Sequence, residues 1–204
     1  MRRRRFRLAD VTAVAFSAAL ALSCSQPAPP ARTGSGPAPD IGYVPTPQNV
    51  VDKMLDVAEV KPTDVIYDLG CGDGRILVTA AKRYGARGVG FDIDPDRVAE
   101  SRVNVRNAGV EDRVTIEQKN VFEVDLTPAT VIALYLLPNL NVRLIPQLER
   151  LKPGSRVVSH DFDIDGVKPA GEWGVMAPKP SDPDKLREHK VFLWRAPIRR
   201  EKGY

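Results

Sequence analysis

The feature that most constrains the fold is a regular alternation of short apolar segments and amphipathic helical segments from Thr46 onward. Pro95 and Gly109 mark the start and the end of the clearest helix. Strands separated by whole helices pair in parallel through right-handed crossovers, with helices on both faces of the sheet. The sequence therefore predicts an α/β fold with a doubly wound, mostly parallel sheet. The predicted strands of this alternation are residues 65–69, 87–94, 113–118, 129–137 and 155–162.

The pattern changes after Phe162, where no helical periodicity is seen. Four prolines interrupt this segment before one further apolar run at residues 190–196; they are Pro169, Pro178, Pro180 and Pro183. Two closing strands without a full crossover helix between them indicate an antiparallel strand on the otherwise parallel sheet. His189 precedes the last run and is expected in a charged loop.

The formal net charge of +4 is concentrated at the amino terminus. Five of the 30 lysine and arginine residues and one of the 26 acidic residues lie within the first ten positions, so the chain beyond residue 23 keeps 25 of each. An uncharged body has no general attraction for a phosphate backbone. Nucleic acid as the main substrate loses support, and the basic residues of the 199–204 tail are interpreted as solvated terminal charge.

Residues 1–23 resemble a bacterial export signal, in which arginines precede an apolar run at residues 11–22. At 1.5 Å per residue this run covers roughly 18 Å, less than the ~30 Å core of a bilayer. Cys24 follows in the position of a lipoprotein signal, so we expect an exported or membrane-anchored protein. A simple membrane tether and a wrongly assigned start codon remain alternatives, and the latter leaves the protein cytoplasmic. Residues 24–42 are rich in proline and predict a flexible linker before a domain at residues 43–198.

Three glycines at alternate positions follow the first predicted strand, in the sequence DLGCGDGR. In a doubly wound sheet this turn lies where ligands bind, and Gly70, Gly72 and Gly74 would allow close approach of a ligand to the backbone. A dinucleotide fingerprint requires a further glycine where Arg75 stands, and the lysine of a P-loop is absent. Both phosphate-binding interpretations therefore fail.

Carboxylates at the ends of two strands favour a different cofactor. Asp68 immediately precedes the glycines, where it would repel a pyrophosphate and suit a cation. Asp92 ends the second strand and is placed to accept hydrogen bonds from ribose hydroxyls. The motifs DLGCGDG, GFDID and VTIEQKNVFE, in this order and spacing, resemble those of class I S-adenosylmethionine-dependent methyltransferases. The resemblance covers roughly residues 46–196 and implies a seven-strand, Rossmann-like sheet with an antiparallel last strand.

The resemblance also implies the cofactor site. Asn120 stands where an acidic residue commonly contacts adenine, and its carbonyl oxygen can accept in the same way. The segment YVPTP resembles the part that closes over the methionine end of the cofactor in lysine methyltransferases related to the ATP synthase c-subunit enzyme. The implied cofactor-binding residues are Tyr43, Thr46, Asp68, Gly70, Gly72, Gly74, Asp92 and Asn120.

The acceptor site is predicted at the ends of the fourth and fifth strands, with Tyr135, Asn139 and Asp161 as catalytic candidates and Asp163 beside them. The motif NPPY, frequent in enzymes that act on nucleobase amines or glutamine, is replaced here by LYLLPNLN. The acidic SHDFDID segment suits a cationic acceptor, so we expect an amine, either a protein lysine or a small molecule. An exported binding module that keeps the fold without transferring methyl groups is the alternative, because the cofactor is made in the cytoplasm.

The two histidines carry no predicted chemistry. His160 ends a strand, His189 is separated from it in sequence, and no clear set of histidine, cysteine and carboxylate ligands is seen. We therefore predict no metal site. The oligomeric state is not determined by any sequence feature.

Overall fold

The computed structural model describes residues 42–201. The predicted export signal, nearly all of the predicted linker and the last three residues lie outside the described part. Within that part, none of the helices has the length and apolar character needed to cross a bilayer. Arg199 and Arg200 are exposed, as expected for a solvated tail.

Four α-helices and seven strands make up the described chain. The third helix begins and ends where the sequence predicts, since Asp94 caps it ahead of Pro95 and Gly109 ends it at a φ of 66°. The helices are α1 Gln48–Val57, α2 Arg75–Tyr84, α3 Pro95–Ala108 and α4 Pro138–Leu148. The strands are β1 Val65–Leu69, β2 Arg87–Asp92, β3 Val114–Gln118, β4 Val131–Leu134, β5 Arg156–His160, β6 Gly171–Lys179 and β7 Asp182–Arg195.

The strands form one mixed sheet in the order β3-β2-β1-β4-β5-β7-β6. The pairs from β3 to β5 are all parallel, whereas β7 runs antiparallel to both β5 and β6. The predicted doubly wound seven-strand sheet with an antiparallel last strand is therefore confirmed. The chain order reverses between β1 and β4, which places the glycine turn after β1 at the switch point where ligands bind.

The prediction for the proline-containing segment is wrong in its details. β6 was not predicted, and β7 begins at Asp182, eight residues before the predicted run. His189 therefore lies in a strand and is fully buried rather than in a loop. Pro178 is tolerated in β6 because β6 is an edge strand with β7 as its one partner.

Two hydrophobic layers cover the sheet. Helices α1, α2 and α3 pack on one face and α4 on the other. Alternate residues of β4 point to opposite layers, since Ala133 belongs to the first cluster and Ile132 to the second. This arrangement leaves the carboxyl ends of the parallel strands as an open edge of the domain.

The opposite edge of the sheet is held by a buried ion pair. The guanidinium of Arg156 donates to both carboxylate oxygens of Asp64, at 2.6 and 3.1 Å, and to the carbonyl oxygen of Ala58. Thr130 and the backbone of Lys61 also donate to Asp64. Burial alone would raise the pKa of Asp64, but these hydrogen bonds outweigh burial and lower it. The pair joins α1, β1, β4 and β5 at one point.

We expect Arg156→Met to destabilise the protein by about 3 kcal/mol, because it leaves the carboxylate of Asp64 buried without its cation. The matched control is Arg195→Met, which removes a salt bridge to Glu59 whose side chains are 46% and 62% exposed, against 12% and 7% in the buried pair. This control should change stability by under about 1 kcal/mol. Urea unfolding of the full chain measures both, and equal losses would contradict the anchoring role of Arg156.

Candidate functional site

The glycine turn after β1 is fastened to the end of β2. The backbone N–H groups of Gly70 and Cys71 both donate to the carbonyl oxygen of Phe91, at 2.8 and 3.0 Å. Gly72 adopts a φ of 55°, and a Cβ atom there would lie 2.3 Å from the ring of Tyr43. A side chain at this position would therefore clash with Tyr43 and strain the turn.

Asp68 is a buried carboxylate with one unpartnered oxygen. Its Oδ2 atom has no hydrogen bond among the described residues. Burial, followed by the negative charges of Asp92 and Asp73, raises the pKa of Asp68 to about 8. A buried acid in this state gains most from a nearby cation, because only a cation relieves both the desolvation and the repulsion. The site therefore fits the cationic methionine end of S-adenosylmethionine, as the sequence predicts.

Asp92 and Asn120 lie at the next two strand ends. One oxygen of Asp92 accepts the N–H of Gly72 at 2.9 Å and the other accepts that of Asp94 at 3.0 Å. Asn120 caps a short 3₁₀ turn, with its side-chain oxygen accepting the N–H of Phe122. Each of these oxygens keeps a second lone pair for a ribose hydroxyl or an adenine amine. Their predicted roles in cofactor binding stay predictions.

The segment that contains Tyr43 and Thr46 lies against the glycine turn. Arg75 pairs with Asp73 through both carboxylate oxygens and also donates to the carbonyl oxygen of Thr46 at 2.9 Å. The guanidinium of Arg97 lies 4.9 Å from the centroid of the Tyr43 ring. Arg75, which replaces the third glycine of a dinucleotide fingerprint, therefore links this segment to the cofactor turn.

Thr46 begins a chain of hydrogen bonds that the sequence analysis missed. Its hydroxyl lies 3.1 Å from Nδ1 of His160, whose Nε2 lies 2.8 Å from Nδ1 of His189, and Nε2 of His189 lies 3.1 Å from the carbonyl oxygen of Pro178. The carbonyl oxygen only accepts, so His189 donates to it and accepts from His160, and His160 accepts from Thr46. Every group is satisfied when both rings are neutral. Burial lowers the pKa of His160 to about 4, in agreement with this assignment.

The same histidines and Asp161 form the one group in the described part of the chain whose ligand atoms are close enough to share a metal ion. No such set was identified from the sequence. The imidazole centroids lie 5.0 Å apart while the facing nitrogens lie 2.8 Å apart, so these nitrogens point at each other, as a hydrogen bond requires. The carboxylate of Asp161 is already neutralised by Arg187. We therefore assign the cluster to hydrogen bonding, and the absence of a metal stays a prediction.

Tyr135 and Asp161 come together at the ends of β4 and β5. The ring of Tyr135 lies against that of His160 with a centroid distance of 3.9 Å and a tilt of 33°. Burial, followed by the charge of Asp161, raises the pKa of Tyr135 and keeps its hydroxyl protonated. Burial alone would raise the pKa of Asp161, but hydrogen bonds from Arg187 and the proximity of His160 lower it.

Asp161 is held by three hydrogen bonds from β7. Arg187 donates to both of its oxygens, and the N–H of Lys190 donates to Oδ1 at 3.0 Å. An acid that is paired in this way is a poor proton acceptor. Asn139 lies exposed in the first turn of α4. The catalytic roles of Tyr135, Asn139 and Asp161 stay predictions.

Neither Arg187 nor the histidine chain could be found from local sequence patterns. Arg187 and Asp161 are 26 residues apart, and His160 and Thr46 are 114 residues apart. The sequence carries no local signal here, since residues 187–190 are four consecutive polar residues and their alternating burial appears only in the structure.

Residues 68–171 match the model of the ANTKMT methyltransferase domain family. A protein-lysine N-methyltransferase from Saccharolobus islandicus is 50% identical over 133 residues, which cover 64% of this chain and 83% of that protein. The mouse adenine nucleotide translocase lysine N-methyltransferase is 29% identical over 136 residues, covering 66% of this chain and 58% of that protein. The residues matched by the family model include the glycine turn and the carboxyl ends of β4 and β5.

A solved structure from Salinibacter ruber has a TM-score of 0.68 and 47% sequence identity to this chain. The alignment covers 78% of this chain and 97% of that one. That protein is described as an RNA methyltransferase in complex with S-adenosyl-L-homocysteine, the product that the cofactor leaves after methyl transfer. Its bound product agrees with the cofactor assigned to the glycine turn.

The depressed pKa of His160 predicts a loss of stability in acid. The folded state holds His160 neutral down to about pH 4, whereas the unfolded state protonates it near 6.5, so the unfolded state binds more protons between these values. We expect the free energy of unfolding to fall by up to about 3 kcal/mol through His160 as the pH falls from 6.5 to 4. Urea unfolding at several pH values measures this loss.

The control is His160→Gln, which keeps an acceptor and a donor on the side chain without titrating. Carboxylates titrate in both proteins, so the difference between the two pH profiles isolates His160. Parallel profiles would show that its protonation is not linked to folding.

Proposed function

The chain belongs to the ANTKMT methyltransferase domain family and is an S-adenosylmethionine-dependent methyltransferase, and from this premise we propose that its acceptor is the side-chain amine of a protein lysine. The observation that carries the proposal is the 50% identity to a protein-lysine N-methyltransferase over most of that protein's length. The alternative of an exported module that transfers nothing has no support from the family or from these relatives.

The chemistry of the acceptor edge supports an amine. The bound cofactor supplies an electrophilic methyl group, and the protein supplies orientation and charge. Half-buried Asp163 follows Asp161 at the end of β5, and exposed Glu188 lies on the adjacent strand. These carboxylates attract a lysine ammonium to the edge where Tyr135 lies. Tyr135 remains a neutral hydrogen-bonding group that can orient the amine.

A lysine must lose its proton before it attacks the methyl group. Asp161 is unsuited to receive this proton, because its pairing with Arg187 lowers its pKa. Its role in this proposal is instead to hold Arg187 and the backbone of Lys190 in place. Because this edge is open to solvent, the proton passes to water.

RNA is a second candidate acceptor, favoured by the description of the Salinibacter ruber protein. The same edge argues against it in this chain. Arg187 is paired with Asp161 and Lys190 with Glu172, so neither adds an unpaired positive charge to the edge. The neighbouring carboxylates would repel a polyanion. We therefore rank a protein acceptor above RNA.

The raised pKa of Asp68 predicts that cofactor binding depends on pH. A cation binds the ionised carboxylate, so affinity for S-adenosylmethionine should fall by up to about tenfold for each pH unit below 8, the pKa of Asp68 before binding. Titration calorimetry between pH 6 and 9 measures this dependence. Asp68→Asn should bind more weakly and lose the pH dependence, whereas Asp125→Asn, at an exposed site, should behave as the wild type. A flat profile in the wild type would remove Asp68 from the cofactor site.

The acceptor class is tested by following a labelled methyl group. We expect the purified protein to label protein in a soluble extract or a membrane extract, and to leave total RNA and a small-metabolite fraction unlabelled. Protease and ribonuclease digestion identify the labelled polymer, and acid hydrolysis identifies methyl-lysine. Asp92→Ala serves as the control for cofactor-dependent transfer. Label confined to RNA would overturn the lysine proposal, and label confined to metabolites would replace the protein by a small amine.

A further inference from the structure

The β6–β7 hairpin projects past the carboxyl edge of the sheet. β5 pairs with β7 as far as His160 opposite Val191, whereas β6 and β7 continue to pair as far as Lys179 opposite Asp182. About nine residues of β7 therefore extend beyond the sheet, or roughly 30 Å at the usual rise. Arg187 lies in this extension and fastens it to Asp161. The hairpin thus stands beside the acceptor edge in a defined position.

The two faces of this extension differ in burial. Val175 and Ala177 point to the side of α1 and belong to its hydrophobic layer. Met176 and Pro178 point to the opposite side, because side chains alternate along a strand. Their partners in β7, Glu188 and Leu186, share that side. Met176 and Leu186 are 58% and 64% exposed, the highest values for large hydrophobic side chains in the described part of the chain. We call the side with Met176, Pro178, Leu186 and Glu188 the outer face of the hairpin.

Carboxylates outnumber cations around the outer face once Asp161 and Asp163 are included, and exposed Lys179 lies at the tip of the hairpin. Three cations close to it form salt bridges; they are Arg187 with Asp161, Lys190 with Glu172, and Lys185 with Asp182. In the described chain, Asp163 and Glu188 have no salt bridge within 4 Å, yet both lie near enough to raise the pKa of Lys190 after its main partner Glu172. An apolar pair bordered by these carboxylates suits a partner with apolar and cationic side chains.

We propose that the outer face of the hairpin is the docking surface for the segment of the acceptor protein that flanks the methylated lysine. This inference rests on the proposed function and adds how the protein acceptor is held. The occupant is an apolar and basic segment, since the surface offers exposed Met176 and Leu186 for apolar contact and Glu188 for a cation. Docking there places the segment next to the edge that contains Tyr135 and Asp161.

The test separates docking from methyl transfer by comparing two substrates. The first is a synthetic peptide of alternating leucine and lysine. The second is acetyl-lysine amide, acetylated on its α-amine so that the side-chain amine is free, and it is too small to reach the hairpin and the acceptor edge together. The variant is Met176→Ser with Leu186→Ser, which removes the apolar pair without altering charge. Val103→Ser is the matched control, because Val103 is 43% exposed on α3, away from the hairpin. Circular dichroism checks that each variant is folded.

We expect the double variant to raise KM for the peptide about tenfold with little change in kcat, as partial loss of two apolar contacts requires. Its kinetics with acetyl-lysine amide should equal those of the wild type, and Val103→Ser should leave both substrates unaffected. Glu188→Gln should weaken peptide binding further and reduce its dependence on salt. An unchanged KM for the peptide in the double variant would overturn the docking proposal.

Failure of the proposed function gives a different result. If the wild type methylates neither amine, the lysine proposal fails, and fluorescence anisotropy of the labelled peptide still measures docking directly. Equal peptide affinity in the wild type and the double variant then overturns the docking surface. Sedimentation tests a second copy of this chain as the occupant. A wild-type dimer that the double variant dissociates, with unchanged peptide affinity, also overturns the proposal.

Discussion

The attachment of the glycine turn to the end of β2 is the interaction on which the rest of the site depends. The carbonyl oxygen of Phe91 accepts two backbone N–H groups of the turn, and the carboxylate of Asp92 accepts a third. These bonds hold the turn against the ends of β1 and β2, and the turn forms one side of the predicted cofactor site. They also hold Asp92 near Asp68, where burial and, after it, the charge of Asp92 raise the pKa of Asp68.

A continuous set of contacts leads from this turn to the acceptor edge. Arg75 holds the backbone of Thr46, the hydroxyl of Thr46 binds His160, and His160 binds His189 in the hairpin. The ring of Tyr135 lies against that of His160 in the middle of this path. The cofactor turn, the segment before α1 and the β6–β7 hairpin are therefore linked by buried hydrogen bonds, which disfavour independent movement of these parts.

Environment gives three aspartates of the sheet different properties. Asp64 and Asp161 each face an arginine, and the hydrogen bonds of that arginine help to lower their pKa values despite burial. Asp68 is buried with no such partner, and its pKa is raised. The first two stabilise the fold on opposite edges, whereas the third is the carboxylate left for a ligand cation. Residue type alone does not distinguish these roles, because all three lie at or next to a strand end.

The amino-acid sequence by itself determined the features that depend on neighbouring residues. Apolar periodicity predicts the strands from β1 to β5, and Pro95 and Gly109 set the ends of α3 because their backbone preferences act locally. The glycine turn with Asp68 and Asp92 was predicted for the same reason, since both aspartates lie at or next to the end of a short apolar run.

The tertiary structure alone decided which distant residues meet and which charges are paired. β6 has a mixed pattern with a proline and forms because β7 offers it backbone partners from Gly171 to Lys179, with one register shift after Pro178. His160 and His189 meet because β5 and β7 pair antiparallel, which no local pattern specifies. The pairing of Asp161 and the isolation of Asp68 likewise follow from packing, since burial and charge neighbours are properties of the assembled sheet rather than of a sequence segment.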